Sequence, residues 1–241
     1  MPTKQRPFFP RFRDLSNEDV QCDLHVHTRR TDGEAEVEEI LRTAAARGLR
    51  TIAFTEHVRH GSEWFPEFAR EVRTRARAYP SLQVLVGCET KAMDARGTLD
   101  VSEAILSGCD IVLGSVHRFP DGQGGFMDSS GLSADEFAER EFRWALGLLD
   151  AKPLDVLAHP GGMYARRFGA DLPRPLLREI LAQSIQSGKA VEFNTSYVQD
   201  LDAALELFGE VNPRVSIGSD VHKLSDLGNC RDLAVSRWCL S

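Results

Sequence analysis

The chain has 241 residues, a length that suits one large domain or two small ones. Hydrophobic residues make up 42% of it, enough for a sizeable core, and a formal net charge of −7 disfavours binding to nucleic acid through a broad basic face. No apolar run approaches the roughly 20 residues that span a bilayer, and residues 1–20 have no apolar signal core. Five cysteines without a CxxC pair suggest reduced thiols. We therefore expect a cytoplasmic protein that has no membrane partner.

Short apolar runs alternate with longer helical stretches along the chain. The runs, in order, are CDLHVH, TIAFTEH, QVLVGCE, IVLGSVH, LDVLAHP, AVEFNTS and VSIGSD. Helices are predicted between and after them at residues 34–48, 65–79, 99–108, 133–149, 175–188 and 197–208, and from residue 227 onwards. This alternation predicts an α/β protein with a parallel sheet. Seven strand–helix units fit a closed or nearly closed barrel, and an open doubly wound sheet is the alternative.

Six of the seven histidines lie at or just after the C-terminal end of a predicted strand. They are His25, His27, His57, His117, His159 and His222. Glu89 and Asp220 occupy equivalent positions. In a parallel barrel all strands end at one face, so these side chains would converge there. Converging histidines and carboxylates indicate a metal site, because these are the residue types that bind such ions.

The spacing of these residues adds detail. His25 and His27 are two residues apart on a strand and therefore project to the same face. Asp220 and His222 repeat this spacing near the last strand. Asp32 follows in a polar loop, where a plain turn residue is the alternative interpretation.

Six sequence pieces, taken together, resemble a known family. DLHVHT, FTEH, GCE, GSVH, LAHPGG and GSDVH look like the successive motifs of the PHP (polymerase and histidinol phosphatase) superfamily, in the family's order. Amidohydrolases also begin with an HxH pair, but they typically use a modified lysine as the bridging ligand where this chain offers Glu89. The stretch GCETKAMDARGTLD is similar to phosphatase-type and polymerase-X-type PHP domains in particular.

The resemblance implies a distorted (β/α)7 TIM-like barrel. We expect it as a single domain over residues 21–241, preceded by a basic and aromatic arm in residues 1–20. This arm contains Arg6, Phe8, Phe9, Arg11, Phe12 and Arg13. Such mixtures can bind single-stranded nucleic acid, although an arm of this kind more often packs under a barrel.

The resemblance also implies two to three divalent metal ions, for which Zn, Mn or Fe suits the residue types. One ion would be held by His25, His27, Glu89 and Asp220. A second would share Glu89 and take His117 and His159. A third would take Asp32, His57 and His222.

Phosphoester hydrolysis by metal-activated water follows from such a cluster. The candidate catalytic residues are Asp220, His222 and Glu89, and Asp220 either accepts the proton of the water or serves only as a ligand. The leading hypothesis is a phosphomonoesterase that acts on a small phosphorylated metabolite, as histidinol-phosphate phosphatases do. The alternatives are a phosphodiesterase or 3'-5' exonuclease that acts on nucleotides or DNA ends, and a non-enzymatic protein that holds metals for structure or partner binding. The oligomeric state stays open.

The substrate phosphate needs cationic partners outside the metals. The main candidates, with a solvated surface charge as the alternative for each, are Arg118, Lys223, Arg59, His60 and Arg29. Further candidates in the strand-end loops are Arg30, Lys91, Arg166 and Arg167. Trp64 and Tyr164 either stack on a substrate ring or pack in the interior. Glu56 is predicted to be a supporting residue, and Cys22 and Cys88 to be buried thiols.

Overall fold

The computed structural model describes residues 9–238. Their β-strands are β1 (Cys22–Val26), β2 (Thr51–Val58), β3 (Gln83–Lys91), β4 (Ile111–Ser115), β5 (Val156–Leu157), β6 (Ala190–Phe193) and β7 (Arg214–Ile217). Each strand pairs in parallel with the next one along the chain. Just after β7, Val221 N donates to His25 O at 3.0 Å, and His27 N donates to Val221 O at 2.9 Å. These two bonds join the last strand region to the first, so the sheet is a nearly closed barrel. The predicted single-domain (β/α)7 barrel is confirmed, and the open sheet is excluded.

The described α-helices lie between and after these strands. They are α1 (Val37–Ala46), α2 (Phe65–Ala76), α3 (Glu103–Gly108), α4 (Ala134–Asp150), α5 (Gly162–Phe168), α6 (Arg174–Ser187), α7 (Leu201–Val211) and α8 (Asn229–Arg237). Local signals set several ends. Ser133 forms a capping box with Glu136 at the start of α4, and Gly48 and Gly188 follow α1 and α6 with φ of 71° and 72°.

Helices α3 and α7 each begin four residues later than predicted because polar side chains cap them. The Ser102 side chain accepts from Ile105 N, so α3 starts at Glu103 and not near residue 99. Asp200 caps α7 by accepting from Ala203 N at 3.0 Å. The residues that precede Asp200 therefore form a turn, and Tyr197 lies in it. That turn faces the barrel mouth.

Helix α5 was not predicted, and a distant side chain explains why it forms. Glu141 of α4 is buried, and its two carboxylate oxygens accept from Met163 N at 3.1 Å and from Tyr164 N at 2.7 Å. These are N–H groups of the first turn of α5, which have no partner inside the helix. Because the acceptor is more than twenty residues away in the sequence, no local sequence pattern predicted this helix.

The strands separate an apolar helix layer from a polar barrel mouth. On β3, Cys88 packs with Phe65 and Phe68 of α2, while its neighbour Glu89 projects to the other face. Cys22 and Cys88 are buried, as predicted, and Cys239 lies outside the described residues. No helix of the described chain is long and apolar enough to cross a membrane.

The described part of the N-terminal arm lies at the other end of the barrel, beside the start of β7. Phe12 N donates to Pro213 O at 2.9 Å, and Val215 N donates to Pro10 O at 3.0 Å. The Phe12 ring also contacts the rings of Phe193, Phe208 and Trp238. Arg6 and Phe8, which the sequence placed in this arm, lie outside the described residues.

The carboxyl group of Glu141 predicts a pH-dependent stability. Burial raises its pKa from 4.5 to about 7, and the two N–H donors only partly oppose this. Between pH 4.5 and 7 the folded state therefore keeps a proton that the unfolded state releases, so the contribution of Glu141 to stability falls as pH rises. In metal-stripped protein, wild type should lose up to about 3 kcal/mol relative to Glu141→Gln across this window.

Urea unfolding of both proteins at several pH values measures this difference, and the titration of the other groups cancels in the comparison. A difference that is constant with pH would show that the N–H donors offset burial at Glu141, and a difference that moves in favour of wild type would show that they outweigh it.

Candidate metal centre

The barrel mouth brings together the nine side chains that the sequence proposed as ligands. Some come from the strands and others from the segments directly after them. They are His25, His27, Asp32, His57, Glu89, His117, His159, Asp220 and His222. The ring centroids of His25 and His27 lie 5.0 Å apart, as expected for side chains on one face of β1.

Glu89 lies at the centre of this cluster and is fully buried. Its Oε1 is 3.0 Å from both His117 Nε2 and His159 Nε2. Its Oε2 is 2.9 Å from His57 Nδ1 and 3.3 Å from His25 Nε2. Both carboxylate oxygens are thus surrounded by imidazole nitrogens, which places Glu89 where a bridging ligand would stand.

The deepest group of donor atoms consists of His25, His27, Glu89 and Asp220, whose atoms lie within 4.8 Å of one another. Three of these atoms, His25 Nε2, His27 Nε2 and Glu89 Oε2, are buried, and no polar atom of residues 9–238 stands in hydrogen-bonding geometry to them. Buried polar atoms normally have a hydrogen-bond partner. Three such atoms directed at one point therefore indicate that a ligand binds there. A divalent cation fits, because the donors are two imidazoles and two carboxylates.

Three more groups adjoin the first, and one of them consists of His25, His159 and Glu192. Asp32 Oδ2 lies 3.2 Å from His57 Nε2 and 3.3 Å from His222 Nε2, and a donor atom of His27 completes this group. His57 and Glu89 also form a group with His117. His57 therefore faces two groups through its two ring nitrogens, whereas the family resemblance assigned it to the third ion alone.

Glu192 is a member of the site that the sequence analysis missed. Its Oε1 is 2.7 Å from His25 Nδ1, and its Oε2 accepts from His159 N at 2.8 Å. A carboxylate at Nδ1 fixes the proton there and leaves the Nε2 lone pair free for a metal. Gly218 makes room for it, since a Cβ at this position would lie 2.2 Å from Glu192 Oε1. The sequence did carry a signal for Glu192, because it is the one charged residue in the apolar run AVEF.

Glu56 and Asp23 hold the segments that carry ligands. Glu56 accepts from Thr28 N at 2.7 Å and from the Thr31 hydroxyl, which fixes the loop before Asp32. Asp23 accepts from Ser219 N at 3.0 Å and from Gly228 N at 2.7 Å, next to Asp220. Burial raises the pKa of both carboxyl groups, that of Asp23 to about 6. The structure thus gives Glu56 the supporting position that the sequence suggested.

The electrostatics of the cluster favour cations. Burial acts to raise the pKa of Glu89, but the neighbouring histidines outweigh it and hold this pKa well below its ordinary value. Burial likewise acts to lower the pKa of His57, but the adjacent carboxylates of Asp32 and Glu89 raise this pKa to about 10. Carboxylates that retain protons on adjacent imidazoles in this way would stabilise metal ions at the same place.

A cleft of about 540 Å³ opens above the cluster. Of the five main phosphate candidates, Arg118 and Arg59 line it, as do Lys91 and Arg166 from the wider set. Arg118 and Lys91 lie over the exposed Phe126 ring, at 4.9 and 5.6 Å from its centroid. These cations stand on the walls of the cleft, where they face the space above the cluster.

The other candidate cations lie outside the cleft walls. Arg29 donates to Glu34 O at 2.6 Å, so its guanidinium group is held within its own loop. His60 lies in an exposed loop whose backbone is bonded to Asp100, and Lys223 is exposed after His222. The structure thus places these three away from the cleft, although they lie near proposed ligands along the chain, and their contact with a phosphate stays a prediction.

The remaining cations and the two aromatic candidates have other neighbours. Arg30 lies over the Trp64 ring, and Arg167 donates to Ser130 O at 2.9 Å. Trp64 packs against Phe65 and Phe68, and Tyr164 against Phe168. Both aromatic side chains therefore take the packing role that the sequence analysis left open.

Comparison with known proteins agrees with this geometry. The family model described as PHP domain matches residues 23–196. The chain belongs to the PHP domain family. It is 26% identical over 218 residues to a probable phosphatase of Caldanaerobacter subterraneus subsp. tengcongensis, covering 86% of this chain and 78% of that one. It is also 24% identical over 223 residues to the DNA polymerase/3'-5' exonuclease PolX of Bacillus subtilis, covering 88% of this chain but 36% of the polymerase.

The fold recurs in a solved structure. A chain in the cryo-EM structure of archaeal ribonuclease P with mature tRNA superposes with a TM-score of 0.53, at 17% identity, over 89% of this PHP chain and 80% of that chain. At this identity the similarity shows the fold alone. It supports the barrel architecture of the PHP chain and says nothing further about its ligands.

The contact between Glu192 and His25 predicts a role in metal affinity. Glu192→Gln keeps the shape of the side chain but removes the charge that fixes the His25 proton. We expect Mn²⁺ affinity to fall about tenfold or more while the fold is retained. Titration of chelator-stripped protein with Mn²⁺, followed by electron paramagnetic resonance, measures this.

Glu206→Gln is the matched control, because Glu206 is exposed on α7 and pairs with Arg174. Equal Mn²⁺ affinity in Glu192→Gln and in this control would contradict the assignment.

Proposed function

We propose that this PHP protein is a metal-dependent phosphoesterase that hydrolyses a small phosphomonoester. The observation that carries the proposal is the group of orphaned buried atoms from His25, His27 and Glu89, which lies at the floor of a cleft with cationic walls. The probable phosphatases among the relatives support the phosphoesterase class, as does membership of the PHP family. The cofactors would be two to three divalent ions of Zn, Mn or Fe.

Different side chains would bind the metal ions and the phosphate. Divalent ions bound by the nine donor residues would activate water and neutralise phosphate oxygens. Arg118 and Arg59 would bind the phosphate from the cleft walls, where charged hydrogen bonds are strongest. Asp220 fits a ligand better than a proton acceptor, because its Oδ1 faces the histidines and its Oδ2 already accepts from the Tyr197 hydroxyl. This favours one of the two roles that the sequence left open for it.

Three observations support a small monoester. The cleft has a volume of about 540 Å³, the size of a small-molecule site. The net charge of −7 gives no general attraction to a polynucleotide. The chain spans about four fifths of several probable phosphatases but only about a third of the polymerase. A diesterase or exonuclease is the second candidate, because the polymerase relative is named as a 3'-5' exonuclease.

A purely structural metal site fits less well. Structural sites close their coordination with protein ligands. Here the side chains of Asp32, His57 and His222 are 49%, 33% and 31% exposed. This side of the cluster faces the cleft, so a substrate can reach it.

The proposal predicts that the purified protein binds two to three ions per chain and cleaves p-nitrophenyl phosphate faster than bis-p-nitrophenyl phosphate. Elemental analysis counts the ions, and assays with added Mn²⁺ or Zn²⁺ compare the two esters. Chelation should abolish turnover, and re-addition of metal should restore it. Preferred cleavage of the diester would favour the second candidate. Metal without cleavage of either ester would favour a non-enzymatic role, and no metal at all would contradict the centre itself.

The cleft walls predict a second outcome. Arg118→Met removes a cation from the wall, so KM for p-nitrophenyl phosphate should rise about tenfold or more, corresponding to the loss of one charged hydrogen bond of about 1.5–3 kcal/mol. Arg143→Met is the control, since Arg143 pairs with Glu139 on the exposed face of α4. Steady-state kinetics test both variants. An unchanged KM in Arg118→Met would remove Arg118 from the phosphate site.

A further inference from the structure

The two oxygens of Asp220 have separate surroundings. Its Oδ1 lies 3.1 Å from His27 Nε2 and 3.5 Å from His25 Nε2, within the deepest donor group. Its Oδ2 lies 2.5 Å from the hydroxyl oxygen of Tyr197, which also lines the cleft. One oxygen therefore faces the proposed ions, and the other faces a tyrosine.

Arg166 sets the direction of the hydrogen bond at Tyr197. Its Nη2 lies 2.6 Å from the Tyr197 hydroxyl oxygen. An arginine can only donate, and a tyrosine hydroxyl has one proton. The hydroxyl must therefore accept from Arg166 and donate its own proton to Asp220.

Both side chains of this pair are held in place by further contacts. The Arg166 guanidinium lies 5.0 Å from the centroid of the Tyr197 ring, and that ring lies 4.7 Å from the ring of His159. Arg166 belongs to α5, whose first turn is bonded to the buried Glu141. The turn that carries Tyr197 is fixed by Asp171, which accepts from backbone N–H groups at positions 199 and 200.

We propose that Arg166 and Tyr197 form a positioning pair that leaves only Oδ1 of Asp220 available to the proposed metal ions. The inference rests on the proposed metal centre. A carboxylate without the second bond can rotate, so that Oδ1 would no longer be held toward the deepest donor group and an ion there would bind less firmly. The pair thus keeps Oδ1 directed at that group. Neither residue is a ligand in this arrangement, and neither had a role in the sequence-based cluster.

Metal binding without substrate tests Tyr197 directly. Chelator-stripped wild type, Tyr197→Phe and Tyr164→Phe are titrated with Mn²⁺ under electron paramagnetic resonance. We expect Tyr197→Phe to lower Mn²⁺ affinity about 10–100-fold and to change the Mn²⁺ spectrum, because the carboxylate is no longer oriented. Tyr164→Phe is the matched control, since the Tyr164 ring packs against Phe168 and its hydroxyl makes no hydrogen bond within residues 9–238. It should behave as wild type.

A double-mutant cycle tests whether Arg166 acts through Tyr197. Removal of a nearby positive charge by itself strengthens Mn²⁺ binding, whereas loss of positioning weakens it. We therefore expect Arg166→Met to weaken Mn²⁺ binding several-fold in the wild-type background but not in the Tyr197→Phe background. The same change in both backgrounds would show that Arg166 acts only through its charge or on the substrate, and would overturn its part of the proposal.

The outcomes separate this inference from the proposed function. Wild-type Mn²⁺ affinity and spectrum in Tyr197→Phe would overturn the inference, whatever ester the enzyme cleaves. A wild-type protein that binds no Mn²⁺ would overturn both. Weaker Mn²⁺ binding in Tyr197→Phe alone, together with diester cleavage by wild type, would support the positioning role and move the substrate to the second candidate.

Discussion

The structure depends on a buried carboxylate that water does not reach. Glu89 is 1% exposed, and burial of an isolated carboxylate has a large free-energy cost unless cations or hydrogen-bond donors surround it. Here histidine nitrogens approach both oxygens, at 2.9–3.4 Å. The imidazoles can satisfy Glu89 as protonated donors, or metal ions can do so while the imidazoles become neutral ligands. The second arrangement also gives a partner to His25 Nε2 and His27 Nε2, for which no polar atom of the described chain stands in hydrogen-bonding geometry.

The barrel explains how residues from distant parts of the sequence come to surround Glu89. Parallel strands all end at one rim, so a single polar residue at each strand end suffices to build a many-sided site. The backbone at two of these ends adopts conformations that are rare for non-glycine residues. His159 has φ of 26° and Asp220 has φ of 52°. Such strain persists where the surrounding structure imposes it, and here it turns two side chains toward Glu89.

The sequence predicted the barrel and proposed nine donors that the structure brings to one barrel mouth, because both follow from residue type and period. Apolar runs identify strands, and a histidine at the end of such a run has few structural reasons to be there. The supporting residues were harder to find. Tyr197 lies in a turn that the periodicity counted as helix, and Arg166 lies on α5, which forms around the carboxylate of Glu141 from another helix. Contacts between separate segments leave no local pattern.

The candidate cations show the same limit of prediction from local sequence. Lys223 directly follows His222 in the sequence, yet it lies outside the cleft, whereas Arg166 is seven residues away from His159 and lines the cleft. A side chain that follows a ligand often projects to the opposite side of the chain. Adjacency in the sequence to a proposed ligand is therefore a weak guide to which side chains line the cleft.

The cluster is graded from a closed end to an open one, and this gradient bears on how many ions it would hold. The side chains of His25, His27 and Glu89 are 0% exposed and that of Asp220 is 7% exposed, whereas Asp32 at the other end is 49% exposed. Charge–charge attraction strengthens as water is excluded, so an ion at the closed end would be held most firmly. An ion at the open end would compete with solvent and exchange more readily. The same opening would give a phosphate access to the proposed ions, so a weakly held third ion and an accessible substrate site would both follow from one structural feature.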